Sequence, residues 1–254
     1  MYALGELIIM SLNTKIHTLL YRMKFISQEE YFKKAILNTQ SITYSECNKI
    51  WENPDIKVHT NIQDEAIQKM ADHIKKIMDL QKNDVVLDVG AGDGLVDEKL
   101  KNAVKSYYGF DFSNQKIGEA RKRNPECEYW QQSFLESISL SEQVNKIFSF
   151  SVMQYCTPDD IKTFLKHQIE TISSSKGGII VHFDVPDQDR AYNYYSSFDR
   201  DIVDKYKKEL KVIFSDGSYW HDMDKVKEIC KEYNCDVEII PSACKYRSDI
   251  IIHV

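Results

Sequence analysis

The chain is poor in the residues that break or staple a fold. Nine glycines and five prolines in 254 residues argue against a collagen-like or low-complexity chain, and a 43% hydrophobic content argues against disorder. Six cysteines (Cys47, Cys127, Cys156, Cys230, Cys235, Cys244) form no C-x-x-C pair. That pattern speaks against a disulfide frame or a zinc site and for reduced thiols in a cytoplasmic protein. Basic residues are outnumbered, 33 against 39 acidic, for a net charge of -6. A protein that draws its affinity from neutralising phosphates needs the opposite sign, and no basic stripe with interleaved aromatics is present, so the balance argues against nucleic acid as a partner. No run reaches the roughly 18 apolar residues of a membrane span. The apolar patch Leu7-Ile8-Ile9-Met10 follows Glu6 and has neither a basic leader nor a small-residue cleavage site, which argues against a signal peptide. Met23, followed by Lys24, is a candidate natural start.

What is present is an alternation. Residues 28–37 and 64–80 carry apolar side chains at helical spacing, with Ile67, Met70, Ala71, Ile74, Ile77 and Met78 on one face of the second. A turn-rich connection, including 51–54 and 57–61, lies between them. Strands are expected at 84–89, 106–111, 128–131, 146–151 and 178–184, with helices at 95–104, 114–124 and 159–174 between them, which implies a parallel sheet covered on both faces. After Asp184 the regularity breaks. Residues 186–220, rich in Tyr, Asp and Lys with a helical stretch near 199–210, are too long for an ordinary connection and read as an insertion over the carboxyl ends of the strands. A helix at 224–233 and strands at 236–240 and 249–254 complete the chain. The expected organisation is an N-terminal extension and helical cap (1–63) followed by one domain (64–254).

The first expected strand runs into Gly90-Ala91-Gly92-Asp93-Gly94. Leu95 occupies the place where the dinucleotide fingerprint needs its third glycine, so a pyrophosphate loses support. Asp88, two residues before Gly90, would repel a diphosphate and welcome a ligand ammonium. Asp111 ends the second strand about 20 residues after the turn, placed to accept hydrogen bonds from ribose hydroxyls, and Phe112 stands ready to face an adenine. Together these describe an adenosine bearing an amino acid.

In Val86-Leu87-Asp88-Val89-Gly90-Ala91-Gly92-Asp93-Gly94 and Gly109-Phe110-Asp111-Phe112-Ser113 the sequence resembles the first two motifs of class I S-adenosylmethionine-dependent methyltransferases, of the bacterial small-molecule type. The resemblance implies an α/β fold, Rossmann-like and doubly wound, with a mostly parallel seven-stranded sheet and a reversed last strand. It implies S-adenosyl-L-methionine (SAM) as cofactor and S-adenosyl-L-homocysteine as product. Gly90, Ala91 and Gly92 would pass the methionine part, Asp111 would hold the ribose, and Ser151, Val152 and Met153 would lie beside the cofactor. The family often places an acid after the third strand for the adenine amino group. This chain has Gln131-Gln132-Ser133-Phe134, so Gln132, Ser133 and Phe134 are the candidates there.

Methyl transfer needs an aligned acceptor atom and exclusion of water, with a base only where the acceptor loses a proton. Tyr155 is either a lining residue of the acceptor pocket or a core aromatic. His182 and Asp184, two apart, are either a base and its orienting partner or a packed histidine and its neighbour. His221, in Tyr219-Trp220-His221-Asp222, is the leading base candidate, against a reading in which Trp220 anchors the loop and Asp222 or Asp224 caps a helix. Tyr192, Tyr194 and Tyr195 offer either a sugar-binding surface or a packing face, Asp184 and Trp220 are further acceptor-binding candidates, and Arg247 either clamps an acceptor anion or sits in a solvated turn. The expected acceptor is a small polar metabolite, such as a surface-sugar precursor, and the expected assembly a monomer or homodimer. Two other readings stand beside this one: a non-catalytic cofactor-binding subunit and a nicotinamide-dependent oxidoreductase.

Overall fold

β1 (Val85–Val89) is buried along its whole length, as an apolar run must be when helices cover both faces of a sheet. In the computed structural model, which describes residue 16 and residues 19–37, 64–173, 177–210 and 219–254, β1 is an inner strand of a seven-stranded sheet. With β2 (Ser106–Asp111), β3 (Glu128–Gln131), β4 (Lys146–Phe150), β5 (Ile179–Pro186), β6 (Asp236–Pro241) and β7 (Arg247–His253), the order is β3-β2-β1-β4-β5-β7-β6. β1 to β5 pair in parallel, while β7 runs antiparallel between β5 and β6. The reversed strand is thus last in the chain but not at the edge. The order changes direction between β1 and β4, and a crevice opens at the carboxyl ends of the strands at such a switch point.

Alternate residues of each strand feed two cores. Leu87, Ile147 and Ile180 join Phe164 and Leu165 of one helix, Ile161–Ile172, and Val226 of another, Met223–Glu232. Val86, Phe148 and Val181 meet Ala71 and Ile74 of the helix Asp64–Ile77 on the opposite face. Asp222, with its carboxylate accepting from the amides of Asp224 and Lys225, caps the helix that follows it.

A third, smaller core builds the cap. Helix Gln28–Tyr31 continues as a π-helical turn, Phe32–Leu37. Phe32 is fully buried and meets Tyr195 and Phe198 edge-on at 5.7 and 5.0 Å. The insertion, with helices Ala191–Tyr194 and Arg200–Tyr206, also receives Glu29 through Tyr206 and Lys205. The N-terminal helix and the insertion therefore pack together in one cluster. The patch at 7–10, the connection at 38–63, Cys47 and part of the insertion, 211–218, lie outside the described residues. The five described cysteines are free thiols. Among the described residues no helix is long and apolar enough to cross a membrane.

Candidate active site

The turn after β1 is built on glycine for two separate reasons. Gly90, Gly92 and Gly94 all have positive φ (84°, 57° and 71°), which other residues enter at a cost. At Gly90 space also forbids a side chain: an added Cβ would lie 2.3 Å from Cγ2 of Val152, across the switch point. At Gly92 a Cβ would meet nothing within 4 Å. The first position lets two loops close on each other and the second leaves open space beside the backbone.

The bend folds back on the end of β2, with the amides of Gly90 and Ala91 both donating to the Phe110 carbonyl at 2.8 and 2.9 Å. Asp111 follows. Its Oδ2 accepts from the Gly92 amide at 3.1 Å and its Oδ1 from the Ser113 amide at 2.9 Å. Burial raises its pKa, and those two amide bonds pull it back. The half-buried carboxylate thus ties β2 to the glycine bend, the juxtaposition expected of a ribose holder. Phe112 is also half-buried, and its carbonyl accepts from Gln131 Nε2 at 2.8 Å.

Asp88 sits elsewhere than the ammonium reading expects. It is 4% exposed and points beneath the bend, against Asp97. Burial, and next the charge of Asp97, push its pKa well up. Asp97 accepts from the hydroxyls of Tyr107 and Tyr129 at 2.9 and 2.8 Å. A carboxyl so disposed braces the bend through Asp97, and its burial disfavours the charge that was to greet an ammonium. The segment after β3 is also turned inward. Gln132 accepts from Trp130 Nε1 at 2.6 Å and donates to the Ser137 carbonyl at 3.2 Å, while its backbone amide donates to the Asp111 carbonyl. Phe134 is core, edge-on to Phe164 at 5.3 Å. Ser133, whose hydroxyl accepts from the Leu135 amide, remains the candidate at the crevice rim.

At the ends of β4 and β5, Ser151 and Asp184 both have left-handed backbones, φ 55° and 60°. Such residues cost of order 1 kcal/mol each and persist where their surroundings fix them. A closed ring of hydrogen bonds does so here. Ser151 Oγ donates to Asp184 Oδ2 at 2.6 Å, and Arg247 Nη1 donates to the same oxygen at 3.0 Å and to the Asp184 carbonyl at 2.8 Å. Arg247 Nη2 donates to Gln154 Oε1 at 2.8 Å, and Gln154 Nε2 closes the ring on the Ser151 carbonyl at 2.8 Å. Ser242 Oγ adds a longer bond to Asp184 Oδ1, at 3.3 Å. Arg247 is 7% exposed, so the expected anion clamp is corrected: its guanidinium is consumed by the protein's own acceptors.

Both histidine assignments are corrected as well. His182 is fully buried, packed on Phe164 at 5.0 Å between ring centres, with Nδ1 2.9 Å from Ser149 Oγ. Burial, and then the charge of nearby His221, lower its pKa to about 3. A bulge between His182 and Val185 ends the alternation that was to place His182 and Asp184 on one face. His221 is 2% exposed, and its Nε2 lies 2.8 Å from the Met153 carbonyl, which accepts only, so that nitrogen carries the proton. Burial takes its pKa down to about 4. It pins the loop after β4 from within rather than reaching an acceptor.

Trp220 and Tyr195 are core residues of the cap, 1% and 7% exposed, and their rings lie 6.0 Å apart. Tyr192 is half-buried beneath the Arg200 guanidinium, 5.5 Å from its ring centre. Tyr155 is half-buried against the main core and Met153 is wholly within it. Gln154 and Asp97 are among the polar residues to which the sequence reading gave no role. Gln154 meets Arg247 across 93 positions of chain, and no local pattern marks such a partner.

The strand order, the glycine bend and Asp111 bonded to it from the neighbouring strand β2 define the class I methyltransferase fold. Residues 86–174 match the family model described as a methyltransferase domain. No curated protein matches it in sequence. Among solved structures it is similar to a SAM-dependent methyltransferase from Clostridium acetobutylicum, with 13% identity over 82% of this chain and 98% of that one and a TM-score of 0.55. It is also similar to magnesium protoporphyrin IX methyltransferase from Synechocystis with bound SAM, at 12% identity, 90% and 97% coverage and TM-score 0.52. The N-methyltransferase NodS from Bradyrhizobium japonicum, in complex with S-adenosylhomocysteine, shows 14% identity, 83% and 96% coverage and TM-score 0.53. At these identities the likeness is one of fold.

The residues present fit the cofactor. Open space beside Gly92 and a carboxylate bonded to the same amide give a nucleoside both room and a hydroxyl acceptor.

Proposed function

We propose that the protein methylates an oxygen or nitrogen of a small polar metabolite that binds beneath the cap, beside Asp184. The observation that carries this is the ring at the ends of β4 and β5, where the Asp184 carboxylate, its side chain 21% exposed, is held by Ser151 and Arg247 next to the loop that touches Gly90. Bound SAM supplies an electrophilic methyl group on a sulfonium. Asp111 holds the ribose hydroxyls, and Gly90, Ala91 and Gly92 let the backbone approach the amino-acid tail. Val152 closes the crevice over Gly90. Asp184 takes the place first given to His221: it accepts the hydrogen bond of the acceptor's hydroxyl or amine, orients its lone pair and receives its proton where one is lost. One structural relative is an amino pentose methyltransferase from Micromonospora echinaspora, which agrees with a polar, sugar-like acceptor.

Calorimetry with S-adenosylhomocysteine tests the cofactor half of this reading. The protein is expected to bind it, and Asp111→Ala to weaken binding by about 1.5–3 kcal/mol, the loss of charge-assisted bonds, or roughly 10- to 100-fold. Unchanged affinity would remove Asp111 from the site. For the acceptor half, a screen of nucleotide-activated sugars and small amines should yield turnover that Asp184→Asn reduces by at least about 100-fold with cofactor affinity preserved. Equal loss of cofactor binding and turnover would place Asp184 in the cofactor site instead.

A further inference from the structure

The bulge in β5 leaves one amide outside the strand ladder. From His182, opposite Ile250, to Val185, opposite Ser248, β5 takes three residue steps where β7 takes two. Within this bulge Asp184 has φ 60°, and its amide donates to Oδ1 of Asp249 at 2.9 Å. A side-chain carboxylate from the neighbouring strand thus replaces the main-chain acceptor that the bulge removes. Asp249 is 1% exposed, and a buried carboxylate needs donors on both oxygens. The second donor is His73, whose Nε2 lies 2.8 Å from Asp249 Oδ2. His73 comes from the helix Asp64–Ile77 covering this face, leans edge-on against Phe183 at 5.4 Å, and keeps 42% of its side chain exposed. The line of contacts is continuous from the surface imidazole through the buried carboxylate to the amide of Asp184.

Nothing in the sheet itself requires an acid at this place. Ile250, which follows it in β7, and Ile251, the next residue on its own face of the strand, are both apolar core residues. What the carboxylate adds is control of the amide that sets the Asp184 backbone, and Asp184 is the node at which Ser151, Arg247 and Ser242 converge.

We propose that Asp249, steadied by His73, is a positioning residue for methyl transfer: it holds the bulge that aims the Asp184 carboxylate at the acceptor. This rests on the reading that the acceptor lies at Asp184. Asp249 touches neither acceptor nor cofactor and acts through the Asp184 amide. Displacing a reacting group by about 1 Å costs on the order of 100-fold in rate, so the effect falls on kcat.

The test compares the full-length protein with Asp249→Ala, Asp249→Asn and His73→Ala. Three readouts are followed: the Asp184 amide resonance by NMR, S-adenosylhomocysteine affinity by calorimetry, and kcat and KM on an acceptor found in the screen. In Asp249→Ala the Asp184 amide is expected to shift and kcat to fall about 10- to 100-fold with cofactor affinity within a few-fold of the parent. Asp249→Asn keeps an oxygen at the same place and should restore most of kcat. A folded Asp249→Ala protein with parental kcat overturns the proposal, as does equal loss in the Asn and Ala variants with the Asp184 amide unmoved. If the alanine variant does not fold, His73→Ala decides: a shifted Asp184 amide with a several-fold lower kcat supports the relay, and an unmoved amide overturns it. Full turnover by Asp184→Asn would reject the acceptor reading, whereas the Asp184 amide reports on Asp249 without any acceptor.

Discussion

Replacing His182 or His221 with glutamine should remove an acid sensitivity of about 2 kcal/mol each between pH 7 and pH 5. Burial lowers their pKa values to about 3 and about 4, while in the unfolded chain a histidine takes a proton near pH 6.5. Below that pH the unfolded state therefore binds more protons, and stability falls as pH falls until the folded-state values are reached. Integrated over the whole window, the linkage amounts to at most about 5 kcal/mol for His182 and about 3 for His221. A domain of this kind holds about 5–15 kcal/mol in total. Several buried carboxyls work in the opposite sense. Asp88 and Asp111 have raised pKa values, mainly from burial, so their contribution is fully present at low pH and is lost as pH rises through those values. The net slope of the parent mixes both signs, and the difference between parent and variant isolates the histidine. Urea unfolding at pH 7, 6 and 5 measures it. A parent-minus-variant stability difference that stays constant over that range would mean the imidazoles are not kept neutral.

Gly90→Ala should cost about 2–4 kcal/mol of stability and abolish measurable cofactor binding. Two penalties add. An alanine at φ 84° costs about 1 kcal/mol or more for the backbone alone. The new methyl would also stand 2.3 Å from Cγ2 of Val152, a β-branched, 9% exposed side chain with little freedom to move aside. Relief requires the loop after β4 to draw away from the bend, opening the crevice at the switch point. Gly92→Ala is the control. It shares the backbone penalty at φ 57° but meets no atom within 4 Å, so it should be the more stable of the two. Equal melting temperatures would show that the Val152 contact is not what demands glycine.

The elements that were legible in the sequence are those whose signals are local. The apolar run Val85–Val89, the glycines after it and the acid at the end of β2 need no distant information, and the structure joins them through Gly92 and Asp111. Asp222 was legible as a cap for the same reason. The histidines were not. His182 stands in an alternating strand, where period two is a sound expectation, but a bulge two residues later re-aims the chain. Trp220 and Tyr195 look like a binding surface in isolation and become a core once Phe32, more than 150 positions away, is packed on Tyr195.

Composition and short-range pattern by themselves determined that strands and helices alternate, that a sheet is covered on both faces, and that a glycine bend follows the first strand. These rest on periodicity, backbone freedom and the spacing of a few residues, all of which survive in one dimension. Which polar groups face the crevice and which face one another was decided only in three dimensions. Arg247 was free to clamp a ligand until the fold brought Asp184 and Gln154 to its two nitrogens. A buried charge takes the nearest partners available, and those partners are set by strand order and by one inserted residue.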